Sequence, residues 1–143
     1  MKNNPLVQNN VLILICGHSG SGKSTFADFL EFMIDDCEVV ICTADDYHMI
    51  DGEYKFDVSN LGKAHKWCQE KADTAMSDNV RIVIVNNTST TQKERQVYID
   101  MAEKHDYEVV LLFMSGSFGN VHGVPDEVVK KQKEKLINSL KGN

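Results

Sequence analysis

Val11-Leu12-Ile13-Leu14-Ile15-Cys16 runs straight into Gly17-His18-Ser19-Gly20-Ser21-Gly22-Lys23-Ser24, and this junction decides the fold. The apolar run lacks alternation, so it predicts a strand buried on both faces. The residues that follow fit Gly-x-x-x-x-Gly-Lys-Ser/Thr in full. They also stand in the required context, after a buried strand and before a helix. Glycines let the backbone curl so that its N–H groups point inward as an anion nest. The helix N-terminus adds a positive dipole end. The loop is therefore expected to hold the phosphates of a nucleoside triphosphate, with Lys23 bridging the β- and γ-phosphates and the Ser24 hydroxyl ligating Mg²⁺. Gly17, Gly20, Ser21, Gly22, Lys23, Ser24 and Thr25 form the expected nucleotide-binding set, with helix packing as the other role open to Thr25. His18 is expected to be a solvated loop residue.

Outward from this junction, strand-length apolar runs alternate with stretches of helix period. A helix from about Ser24 carries Phe26, Phe29, Leu30 and Met33 on one side. Glu38-Val39-Val40-Ile41-Cys42 is a second strand. A loop from Asp45 to about Asp57 leads to Ser59, an expected N-cap. Leu61, Ala64, Cys68, Ala72 and Ala75 recur at helical spacing. Arg81-Ile82-Val83-Ile84-Val85 is a third strand, followed by a polar helix over 91–105 with Val97, Met101 and Ala102 inward. Residues 107–113 form a fourth strand. A short Gly-rich segment, 115–124, leads to a last helix with Pro125 in its first position and Asp126 and Glu127 in its first turn, a charge order that complements the helix dipole.

Such alternation implies right-handed β-α-β units and a parallel sheet. Ligands of these sheets bind beyond the C-terminal strand ends. Residues 17–24, 43–48, 86–91 and 115–124 all follow strands and converge on one rim.

The 143 residues suit a single domain, 1–143, with one core. The net charge of −6 argues against a broad nucleic-acid-coating surface. It leaves room for a local site that takes one phosphorylated end. Cys16, Cys37, Cys42 and Cys68 show no zinc or Cys-x-x-Cys spacing and read as structural thiols. No segment is long and apolar enough to span a bilayer, and Met1-Lys2-Asn3-Asn4-Pro5 carries no signal-peptide pattern. A cytoplasmic protein with no membrane partner is the expectation.

Thr43-Ala44-Asp45-Asp46-Tyr47-His48 follows the second strand. Phosphoryl transfer uses a carboxylate to orient the acceptor hydroxyl and take its proton. Asp45 is the favoured base. Helix capping or loop solvation is the other role open to this acidic pair.

Taken together, the phosphate loop, Ala44-Asp45-Asp46-Tyr47, Asp51-Gly52-Glu53-Tyr54-Lys55-Phe56, Ala64-His65-Lys66-Trp67-Cys68-Gln69 and His122-Gly123-Val124-Pro125 resemble the P-loop kinase-like proteins related to the bacteriophage 5′-hydroxyl polynucleotide kinase domain. The resemblance covers roughly residues 11–140. It implies a three-layer α/β/α domain with a parallel sheet in the order 2-3-1-4. It also implies Asp45 as general base beside Lys23, ATP and Mg²⁺ as cofactors, and a 5′-hydroxyl DNA or RNA end as acceptor.

The chain departs from that family's pattern at several positions. His48 stands where an arginine holds the nucleic acid. Asn86 replaces an acid at the end of the third strand and brings no charge to the metal. Gly119 precedes Asn120 where the lid carries an arginine, a group worth about a thousandfold or more in rate. Lys130, Lys131, Lys133 and Lys135 read as a solvated helix face, and Trp67 as core or as a border of the acceptor groove. The expected activity is an ATP-dependent phosphotransferase. A small-molecule kinase and a nucleotide-binding protein with weak or no turnover stand as alternatives.

Overall fold

A computed structural model describes residues 9–119 and 122–141. The N-terminal segment read above for a targeting signal, and Asn120 in the lid, lie outside them. In chain order the elements are β1 (Val11–Cys16), α1 (Lys23–Met33), β2 (Val39–Cys42), β3 (Met49–Ile50), β4 (Glu53–Tyr54), α2 (Leu61–Ser77), β5 (Ile82–Asn86), α3 (Gln92–Lys104), β6 (Glu108–Phe113) and α4 (Asp126–Leu140). The parallel sheet has the order β2-β5-β1-β6. Numbering only its own strands, this is the expected 2-3-1-4, within a three-layer α/β/α fold. β1 and β5 are the interior strands, and both are apolar runs largely buried on both faces, whereas β6 at the edge is more exposed.

Strand pleating sends neighbouring residues to opposite layers. Leu12, Leu14, Cys16, Val83 and Val85 meet Ala64, Cys68, Ala72 and Met76 of α2, Tyr98 and Ala102 of α3 and Leu136 of α4. Ile15 and Ile84 face the other way, onto Ala27, Phe26 and Leu30 of α1. The small residues of α2 let it lie close to the sheet. Burial pushes the Cys16 thiol up to about 11 and the Cys42 thiol up to about 12, so both stay protonated as packing groups.

Several local expectations change. Phe29 and Met33 are 53% and 58% exposed, because α1 turns Phe26, Ala27 and Leu30 to the sheet instead. Leu61 is likewise exposed at the start of α2. Ser59 does not cap that helix: Asp57 accepts from the Ser59 N–H (2.9 Å) and hydroxyl (2.7 Å) and starts a short 3₁₀ turn, Val58–Asn60, that leads into it. Pro125 is the N-cap, one residue before the helix proper. In α3 the inward side carries Arg95, Tyr98 and Ala102, with Met101 packed against the same core as expected and Val97 turned out. Arg95 is buried because its guanidinium donates to Ser89 O (2.9 Å) and Ser139 Oγ (3.0 Å).

The start of α3 is a capping box. Thr91 Oγ1 accepts from the Glu94 N–H at 3.2 Å, and Glu94 Oε2 accepts from the Thr91 N–H at 3.0 Å. Thr91→Ala is expected to lower unfolding free energy by about 1 kcal/mol, read as an earlier denaturant midpoint at unchanged m-value. Among the described residues no helix is long and apolar enough to cross a membrane.

Candidate functional site

The register pairs Ile15 with Asn86 and Cys42 with Val85, so the C-terminal ends of β1, β5 and β2 share one rim. The phosphate loop leaves β1 there. The Gly17 N–H donates to Thr88 O at 3.0 Å. A Cβ on Gly17 would meet Ser21 Oγ at 2.5 Å and the Met114 carbonyl at 2.7 Å, so only glycine fits. Gly22, the residue before α1, has φ 95, a left-handed conformation that glycine adopts without strain. His18 is only 4% exposed, contrary to the solvated position expected for it. The loop curls it inward, with Nδ1 at 2.9 Å from Ser19 O. Its Nε2 and the Ser21 hydroxyl are buried without hydrogen-bond partners. Such atoms are rare in folded proteins, and both lie in this loop.

Lys23 Nζ donates to His18 O at 3.0 Å. Burial pulls its pKa down to about 8, while the Asp45 carboxylate opposes that shift. Ser24 and Thr25 are both exposed at the start of α1, so Thr25 does not pack. Asn86, buried at the end of β5, donates from Nδ2 to Ser24 Oγ at 3.1 Å. Among the described residues no group of three or more His, Cys, Asp or Glu is suited to hold a metal ion. The exposed Ser24 oxygen still fits Mg²⁺, which keeps several waters and takes most other ligands from phosphates. Asn86→Asp would place a buried carboxylate beside Ser24. It is expected to tighten Mg²⁺-dependent nucleotide binding or to raise turnover, and titration calorimetry with and without Mg²⁺ checks this. No gain in either makes Asn86 a neutral strand-end residue.

Asp45 lies on a 3₁₀ turn, Ala44–His48, capped by the Thr43 side chain rather than by either acid. The Ala44 N–H donates to Asn87 Oδ1 at 2.9 Å, which ties the turn to the end of β5. The loop expected after it contains the β3–β4 hairpin, with Asp51 at φ 52 and Gly52 at φ 80 in its turn. The Asp-Gly pair is a hairpin signal that the sequence did carry. The hairpin presents Tyr54, whose hydroxyl lies 3.5 Å from Asp45 Oδ1. His122 Nε2 lies 3.5 Å from Asp45 Oδ2. Both residues stand in motifs that carry the family resemblance, and His122 in the segment expected on the rim, but the sequence assigned neither a role in the site.

His48 is only 3% exposed, set against Tyr47, Tyr54 and Phe56. It is not presented to an incoming phosphate. Trp67 packs on the core beside Tyr47 (6.0 Å) and Lys71 (5.6 Å). Lys130, Lys131 and Lys135 are exposed, and Lys133 is half-buried.

Phe118, after β6, and Gln132, in α4, both meet the phosphate loop. The Phe118 N–H donates to Gly20 O (2.9 Å), and Gln132 Oε1 accepts from the Ser19 N–H (2.9 Å). Gly119 has φ 80, so an arginine there would strain the backbone.

A parallel sheet of this order, with a phosphate loop after its central strand, defines a P-loop, kinase-like fold. The AAA domain family model matches residues 12–117, and the chain belongs to that family. It is 35% identical over 133 residues to human NEDD4-binding protein 2, covering 87% of this chain and 7% of that protein. The chain thus spans a small part of that relative's length. A structure of the Pnkp1/Rnl/Hen1 RNA repair complex aligns with a TM-score of 0.73 at 16% identity, over 100% of this chain and 49% of that one. The APS kinase CysC of Mycobacterium tuberculosis, in complex with AMPPNP and APS, aligns with a TM-score of 0.57 at 14% identity, over 94% of this chain and 99% of that one. Identities this low show a shared fold.

Proposed function

We propose that this chain is an ATP-dependent kinase that transfers the γ-phosphoryl group to a hydroxyl, with a 5′-hydroxyl polynucleotide end as the acceptor. The observation that carries this reading is that the Asp45 turn and the start of α1 are both tied to the end of β5, the Ala44 N–H donating to Asn87 Oδ1 (2.9 Å) and Asn86 Nδ2 to Ser24 Oγ (3.1 Å). The Asp45 carboxylate also favours the charged form of Lys23, against the burial that disfavours it. A proton acceptor and a phosphate-binding cation thus share one rim, the pairing that in-line transfer to a hydroxyl needs. The loop N–H groups and Lys23 hold the triphosphate. Ser24 offers its oxygen to Mg²⁺, which neutralises charge on the phosphates. Asp45 orients the acceptor hydroxyl and takes its proton. Catalysis then comes mainly from positioning and from fixed charge. The polynucleotide acceptor is supported by the Asp45-Asp46-Tyr47 and His122-Gly123-Val124-Pro125 motifs and by the likeness in fold to the RNA repair complex.

A small-molecule acceptor is the second reading, favoured by the buried His48 and by the net charge of −6. Labelled ATP incubated with 5′-hydroxyl oligonucleotides, nucleosides and water alone separates the two. Label on the oligonucleotide supports the first reading, and label on a nucleoside supports the second. ATP binding without transfer to any hydroxyl overturns both and leaves a nucleotide-binding protein.

A further inference from the structure

Asp45 is an awkward place for a base. It sits on the outer side of a short turn, and its side chain is 51% exposed. A carboxylate so placed is free to rotate, and a mispositioned catalytic group forfeits rate. We propose that His122 is a positioning residue for Asp45: from the segment between β6 and α4 it holds one carboxylate oxygen while Tyr54 holds the other. This inference rests on Asp45 being the proton acceptor.

The two rings form a unit. Their centroids are 4.1 Å apart and their planes 31° from parallel, and each directs its polar atom at a different oxygen of the same carboxylate. With the proton on Nε2, His122 donates to Oδ2, as Tyr54 donates to Oδ1. Tyr54 is anchored in turn, its ring 5.9 Å from buried His48, which lies 5.0 Å from Phe56. Burial and the Asp45 charge both push the Tyr54 phenol up, so it remains a donor. Gly123, at φ 66, turns the chain directly after His122 toward Pro125 and α4.

Both approaches to Asp45 are long. Catalytic hydrogen bonds commonly are, and they tighten in the Michaelis complex. A carboxylate offers about four lone-pair sites, so the two grips leave room for an acceptor hydroxyl. The segment that carries His122 also carries Phe118, whose N–H meets the phosphate loop. One connection therefore touches both halves of the site.

Two substitutions separate ring packing from hydrogen bonding. His122→Phe keeps a ring against Tyr54 and removes the donor. His122→Gln supplies an amide donor without the ring. The phenylalanine variant is expected to lose about tenfold or more in kcat at unchanged KM for ATP, and the glutamine variant to recover part of it. In an Asp45→Asn background, His122→Phe should cost nothing further. A phenylalanine variant at the wild-type rate, or losses that simply multiply, would overturn the proposal. A second measurement needs no turnover. The imidazole NMR signals of His122 should move on Asp45→Asn, and signals indifferent to that change also overturn it. If the wild type phosphorylates no hydroxyl, the kinase reading fails, and the NMR comparison alone judges the His122 contact.

Discussion

Lys23→Ala is expected to weaken ATP binding by about a hundredfold, the loss of roughly 3 kcal/mol that a charge-assisted phosphate contact provides. Titration calorimetry with ATP and Mg²⁺ measures it. The fold should survive. Burial holds the Lys23 pKa at about 8, below the ordinary 10.5, so the unfolded chain holds that proton more tightly than the folded one. By linkage, the cation costs stability below about pH 8, and the cost is relieved as pH rises above that value. Removing the side chain removes the cost at neutral pH. ATP restores the cation by its own charge, so wild-type binding takes up a proton near pH 8 and weakens as pH rises further. The alanine variant should lack this dependence. Unchanged affinity in a folded variant would remove Lys23 from the site.

The second large effect is on chemistry. Asp45→Asn keeps size and some hydrogen bonding while removing the base. Transfer to a 5′-hydroxyl oligonucleotide should fall about a hundredfold or more, with ATP affinity at neutral pH little changed. The pH matters because the Asp45 charge helps keep Lys23 protonated. Without it, nucleotide binding should begin to weaken at lower pH. Asp46→Asn should be milder, because Thr43 rather than Asp46 caps the turn. Wild-type rates in both variants would assign the proton to another group.

What was legible in the sequence was whatever is local and chemically narrow. An unalternating apolar run followed by Gly17 to Ser24 leaves few structures open, and the strand order followed from the resemblance. Partners set by distant chain were not legible. His18 has no sequence feature that distinguishes a buried loop histidine from a solvated one. Arg95 reads as a surface cation until Ser89 and Ser139 are brought to it. Val97 and Arg95 lie two positions apart, and helical spacing alone does not say which faces the sheet. The hairpin that presents Tyr54 was announced by Asp51-Gly52, but its flanking strands are only two residues each, too short for a periodic pattern.

The position of β1 also bears on the order in which the molecule assembles. β1 pairs on one side with β5 and on the other with β6, both far downstream. Contacts across such separations form slowly, because the intervening chain must close first. During synthesis the phosphate loop leaves the ribosome before Thr88, Met114, Phe118 and Gln132, which meet it. The nucleotide site is therefore expected to mature only after these later partners have been made, and a nascent chain halted before α4 should not yet retain ATP.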